Sequence, residues 1–128
     1  MLWMHGFKGR KEKRHETGKC GEDLAQGYLK KLGHRIVATN YRAQRGEIDI
    51  ISQDGKTLVF TEVRSRSCRD ILPEMTVDEK KQGFVRRTAM QYLYAHHGDD
   101  FPECRFDVVA VVFTDDGSVD IRHYPNAF

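Results

Sequence analysis

Cysteine is too scarce and too scattered in this chain to organise anything. Cys20, Cys68 and Cys104 are odd in number, far apart and without a CxxC pair, which argues against a disulfide framework and a zinc site and leaves reduced thiols as the expectation. Long apolar runs are missing too. No stretch approaches the ~18 residues of a membrane helix, and Lys8, Arg10, Lys11 and Lys13 interrupt the N-terminus before a signal-peptide core could form. The expected compartment is therefore the cytoplasm, with no membrane partner. There is no glycine-rich phosphate loop, no dinucleotide fingerprint, no Ser-His-Asp set and no internal repeat, and His5, His15, His34 and His123 show no ligand spacing.

What is present describes a soluble chain of one-domain size. At 128 residues there is no room for two independent cores, and 39% hydrophobic with 31% charged residues is an ordinary globular balance. The net charge of +2 hides an uneven distribution. Lys8 to Arg14 carries five basic residues against one Glu, and Arg42, Arg45, Arg64, Arg66 and Arg69 crowd the middle of the chain. Such local excess can attract a polyanion or can be solvated surface.

Residues 1–17 lack an apolar period and read as a basic, mobile N-terminal arm before a single domain over 18–128. From Gly21, the residues Leu24, Ala25, Tyr28, Leu29 and Leu32 form one helical stripe, with Gly33 placed to end it. A short strand is expected over Arg35 to Thr39. Two β-rich runs, Gly46 to Ser52 and Thr57 to Arg64, flank Asp54-Gly55, a strong hairpin signal. A second helix is expected from about Asp78 to His96, with His96-His97 suited to its C-terminal dipole. A doubly covered strand over Phe106 to Phe113 and a last strand over Ser118 to His123 complete an αβββαββ order. The architecture this predicts is one mixed sheet flanked by helices.

The hairpin carries the chemistry. With Asp54-Gly55 as the two-residue loop, Asp49 lies opposite Phe60 and Glu47 opposite Glu62, so Asp49, Phe60, Glu62 and Arg64 share a sheet face. Asp49 and Glu62 are then diagonal neighbours within reach of one ion. Carboxylates gathered on one face repel unless something positive sits among them. Arg64 would make the group an ion-pair cluster, and a hard divalent cation would make it a metal site. The residues alone leave both open.

The run Gly46-Glu47-Ile48-Asp49 followed by Glu62-Val63-Arg64-Ser65-Arg66 resembles the PD-(D/E)xK signature of restriction enzymes and Holliday-junction resolvases. Together with Gly21-Glu22, Asn40, Arg42, Val77, Lys80 and Arg105-Phe106-Asp107-Val108, nearly the whole chain after the arm is similar to the YraN-type family of small bacterial proteins. That resemblance implies a restriction-endonuclease-like three-layer α/β/α fold with a central mixed sheet. It implies Asp49 and Glu62 as ligands of Mg²⁺ (or Mn²⁺), with the Val63 carbonyl as a third, Glu22 as an acidic residue approaching from the first helix, and Glu47 supporting the site. Arg42, Arg45, Arg66 and Lys80 would meet nucleic acid, with Tyr41 the aromatic to watch. Asp107 reads as a cap before the buried strand. The expected activity is hydrolysis of nucleic-acid phosphodiesters, with branched DNA among the candidate substrates, and the resolvase likeness allows a homodimer. The pattern departs at Arg64, where the motif has lysine. Arginine stays charged and cannot take a proton from water, so the alternative is a nuclease-like module that binds nucleic acid with little or no turnover.

Overall fold

The computed structural model describes residues 10–44, 46–68 and 77–128, with side chains from residue 19 onward. Residues 1–9, Arg45, Arg69 and the loop holding Pro73 lie outside the described residues, and so do the expectations made for them. The elements run α1 (Arg10–Lys31), β1 (Arg35–Ala43), β2 (Gly46–Asp54), β3 (Thr57–Ser67), α2 (Glu79–His97), β4 (Glu103–Phe113) and β5 (Val119–Tyr124). Five strands form one mixed sheet in the order β1-β2-β3-β4-β5, parallel only between β3 and β4. The chain is of the α/β class. Helix α2 makes the crossover that a parallel pair requires. Among the described residues no helix is long and apolar enough to cross a membrane.

The first helix begins at Arg10 rather than Gly21, so residues 10–17, expected within the arm, are its opening turns. Apolar periodicity does not reveal them because no apolar stripe runs through them. Its end is as expected. Gly33 takes a left-handed φ of 99°, and the N–H groups of Gly33 and His34 close on the carbonyls of Lys30 and Leu29, each at 3.0 Å. In α2, the Asp78 side chain caps the helix by accepting the Lys81 N–H at 2.8 Å.

The helices cover opposite faces of the sheet. Val85, Ala89, Tyr92 and Leu93 of α2 pack with Ile48, Ile51, Leu58 and Phe60. Ala25 and Leu29 of α1 pack with Ile50, Val109, Val111 and Phe113. Tyr41, the aromatic to watch for nucleic acid, is half-buried and packs against the first of these layers, its ring edge-on to Tyr92 at 5.2 Å.

The hairpin register differs from the expected one. Asp54 pairs with Thr57, leaving Gly55-Lys56 as the loop with Gly55 at φ 61°, and Ile51 rather than Asp49 lies opposite Phe60. Glu47 lies opposite Arg42 of β1, not Glu62. The partner slides by two residues, an even number, so the regular part of the hairpin keeps its faces.

A second irregularity is local and matters more. Ile48 and Ile51 both pack on the α2 side, as do Ala38 and Tyr41. Residues three apart cannot share a face of a regular strand. Both strands therefore switch faces at one place, where Asn40 has a left-handed φ of 51° between the pairs Thr39↔Ile50 and Tyr41↔Ile48. The residue across from Asn40 in that ladder is Asp49. Beyond Ile50↔Thr61 the β2–β3 pairing stops.

On the α1 side, Asp107 is not a turn cap but a fully buried carboxylate within β4. Arg105 grips both its oxygens through Nε (2.8 Å) and Nη2 (2.9 Å), His123 Nε2 lies 2.8 Å away, and the Asn126 N–H donates at 2.9 Å. Burial pushes the Asp107 pKa up, but the His123, Arg105 and Asn126 hydrogen bonds and the Arg105 charge outweigh it and hold the carboxyl well below the usual range. Asp107→Ala leaves Arg105 without its main partner and unties β5. It is expected to cost roughly 3–5 kcal/mol in chemical denaturation, whereas Asp120→Ala, which removes only an exposed pair with Arg122, should cost under about 1 kcal/mol.

Candidate metal and nucleic-acid site

Asp49 sits where the β2–β3 ladder opens, only 9% exposed. One of its oxygens, Oδ2, accepts the Val63 N–H at 2.8 Å, so a side chain takes the β3 amide after the backbone pairing has ended. Glu62 precedes that amide on β3, its side chain 10% exposed, and Lys81 Nζ of α2 lies 3.6 Å from its Oε2. Glu22 approaches from α1, half-buried, with Asn40 hydrogen-bonded to it. The residue whose left-handed backbone turns the strands thus also ties the first helix to the site.

These carboxylates feel one another. Burial first, and then the Glu62 charge, pushes the Asp49 pKa up to about 8; the Val63 hydrogen bond lowers it, and Glu22 and Glu47 raise it further. Burial likewise raises Glu22, offset by Asn40 and reinforced by Glu47, Asp23 and Glu62. Near neutral pH, Asp49 holds a proton that a cation could displace. Among the described residues no three His, Cys, Asp or Glu side chains form a group that could hold a metal ion, so Glu22 and Glu47 act on Asp49 by charge and not as a closed cage. An Asp49–Glu62 pair with oxygen-only donors still fits a cation such as Mg²⁺, which takes one or two carboxylates and keeps several waters.

The basic residues divide differently from the sequence expectation. Arg64 shares a strand parity with Glu62, yet it forms no ion pair with Asp49 or Glu62, and its buried Nε has no hydrogen-bond partner. The ion-pair cluster of Asp49, Glu62 and Arg64 does not form. Lys81, not the exposed Lys80, reaches the site, because the Asp78 cap fixes the third residue of α2 beside β3. Arg42 is exposed and held by Glu47, with Nε 2.8 Å from Oε2. Arg66 donates to the Ser65 carbonyl at 2.9 Å. The side chain of Val63 packs in the α1 layer; its N–H, rather than its carbonyl, contacts Asp49.

Sequence reasoning missed Asn40 and Lys81 as site residues. The signal for Lys81 was present, since Asp78 has the composition and position of an N-cap and thereby sets which of two adjacent lysines faces the sheet. For Asn40 the hints are its place among the residues that carry the resemblance and the tolerance of Asn for a left-handed backbone.

The chain is similar to proteins from several bacteria. A family model described as "Uncharacterised protein family UPF0102" matches residues 21–111. A UPF0102 protein of Syntrophus aciditrophicus is 45% identical over 102 residues, covering 79% of this chain and 80% of the relative. Another, from Desulforamulus reducens, is 44% identical over 117 residues, covering 89% and 96%. A third, from Geobacter sulfurreducens, is 39% identical over 112 residues, covering 87% of each.

The raised Asp49 pKa has a thermodynamic sign. The folded state holds a proton that the unfolded chain releases near pH 3.8, so without divalent cation stability declines as pH rises between about 4 and 8. The share of that slope due to Asp49, at most about 1.4 kcal/mol per pH unit, should be lost in Asp49→Asn, leaving the variant more stable than wild type at pH 8. Urea titrations with chelator at several pH values check this; an unchanged slope would show that Asp49 is ionised throughout.

Proposed function

We infer that this chain, which belongs to the uncharacterised protein family UPF0102, is a metal-dependent nuclease that hydrolyses nucleic-acid phosphodiester bonds. The observation that carries this reading is the opening between β2 and β3, where buried Asp49 and Glu62 meet with no cation on Asp49 and with Lys81 and Arg64 close in the fold. A purely structural acid cluster would be expected to pair its buried members, as the Asp107 group does. Asp49 and Glu62, with the Val63 carbonyl, would hold Mg²⁺ or Mn²⁺, which supplies activation of water and neutralisation of phosphate charge.

The chain's own side chains have distinct tasks in this reading. Val63 N–H orients the Asp49 carboxylate. Asn40 positions Glu22, whose negative charge raises the affinity of the pair for a cation. Arg64, whose buried Nε has no hydrogen-bond partner, would turn the outer nitrogens of its guanidinium to a phosphate oxygen, and arginine can bind phosphate bidentately. Lys81 holds Glu62 and brings a second positive charge toward the same anion. Arg42, Arg45, Arg66 and Lys80 would follow the phosphate backbone outward. DNA in the cytoplasm is the substrate this reading takes, with branched DNA met by a homodimer as its narrower form.

Arg64 itself favours a second reading. A guanidinium cannot accept a proton from water, and a chain retaining the cleft without turnover would be a nucleic-acid-binding module. Its DNA affinity would still fall steeply with salt as phosphate contacts release counterions.

Asp49→Asn and Glu62→Gln should each abolish Mn²⁺ binding in calorimetry while circular dichroism stays unchanged. Lys81→Ala should slow single-turnover cleavage by roughly 100-fold, with Lys80→Ala close to wild type. Wild-type Mn²⁺ affinity in both carboxylate variants would end the metal reading. DNA binding without cleavage in wild type and in Arg64→Lys would establish the silent module.

A further inference from the structure

Outside the carboxylate cluster, a concavity lies between α2 and the end of β1 and start of β2. It is a cavity of about 140 Å³ whose walls include Gln44, Gly46, Phe84, Arg87, Thr88 and Gln91. That is several times the ~30 Å³ share of one water and well below the ~300 Å³ at which pockets for drug-sized ligands begin. The space suits one small group.

Its lining is specific in kind. The Arg87 guanidinium lies over the Phe84 ring, 5.0 Å from the centroid, which leaves its other face for a second flat partner. Gln44 and Gln91 are exposed amides, each offering donors and an acceptor. Thr88 is not available, because its hydroxyl already donates to the Phe84 carbonyl at 2.8 Å. Gly46 keeps the turn close to α2: a Cβ there would collide with Thr88 Oγ1 and lie 3.0 Å from the Phe84 carbonyl oxygen. The described lining residues include no acid, in contrast to the cluster beside it. Gly46 is three residues before Asp49 on β2, about 10 Å along the strand.

A cation stacked on an aromatic ring and flanked by two amides is the chemistry that takes a nucleobase by its face and its edge. We propose that this cavity receives one unpaired nucleobase, so that nucleic acid reaches the carboxylate cluster as a single strand, a flap or a junction and not as continuous duplex. This rests on the nuclease reading for its context, but the cavity binds the base whether or not a cation is bound. A base inside a duplex is stacked on both faces and cannot enter without being turned out.

The test uses the full chain with divalent cations chelated, and fluorescence polarisation of labelled oligonucleotides in DNA and RNA forms. Each form is offered as a single strand, as the same strand with abasic sites, and as a blunt-ended duplex of two fully complementary strands. The single strand should bind at least about tenfold tighter than the duplex. The abasic strand should lose that margin, and so should wild-type oligonucleotide on Gln44→Ala/Gln91→Ala and on Arg87→Ala. A margin confined to DNA or to RNA identifies the polymer and supports the proposal equally. Equal affinity for duplex and single strand, or a margin that survives abasic sites or all the substitutions, overturns it. Calorimetry with Mn²⁺ on the unsubstituted chain separates the two claims. No single-strand margin with normal Mn²⁺ binding overturns the cavity alone, and a base-dependent margin without Mn²⁺ binding overturns the nuclease reading alone.

Discussion

Up to Ile50 and Thr61 the second and third strands are joined by an ordinary ladder, and one step further the β3 amide is taken by a carboxylate. That substitution of Asp49 for a backbone acceptor lets the strands part without stranding the Val63 N–H, which would be costly to leave unpaired. The opening so made is where Glu62, Glu22 and Lys81 converge from three different elements. The left-handed Asn40 across the ladder is the other half of the device: it turns both strands at this point and hydrogen-bonds Glu22. The site is built from a defect in the sheet, held open by side chains.

Two buried aspartates in the same sheet illustrate what partners do to a charge. Asp107 is more deeply buried than Asp49, yet its pKa goes down, because Arg105, His123 and the Asn126 N–H surround it. Asp49 has one amide for a partner and three carboxylates for neighbours, and its pKa goes up. Burial alone does not separate the two. The Asp107 group continues outward through Arg105 to Asp54, with His34 3.6 Å from the same carboxylate and Ser52 2.9 Å from His34. It stitches β2, β4 and β5 together on the α1 side, and its stability is of the satisfied kind.

Most of the layout was legible in the sequence because it follows from periodicity: the α1 stripe ending at Gly33, the β2–β3 hairpin, the capped α2 and the doubly buried β4 all appear. The Asp49–Glu62 pairing was reached through a register wrong by two residues. It survived because an even slide preserves faces and because aspartate and glutamate lie near the point where the ladder opens. What stayed illegible depends on contacts rather than on period. The opening turns of α1 have no apolar stripe. The half-burial of Tyr41 against the α2 layer goes with the turn at Asn40, which leaves no trace in composition. Arg64 was assigned a pairing by its spacing, but an arginine is long enough to point its guanidinium elsewhere, and a lysine on another element took the glutamate.

Strand β1 lies at one edge of the sheet with β2 as its sole ladder neighbour. A long, straight edge would offer a second molecule a row of free amides and carbonyls to continue. Here that row is broken twice, by the register shift between Ile36 and Ala38 and by the left-handed residue at Asn40. The bend that opens the acidic cleft therefore also blunts this border against fibrous self-association. A substitution that straightened β1 would close the opening beside Asp49 and leave a longer free edge, with lost solubility as the expected cost.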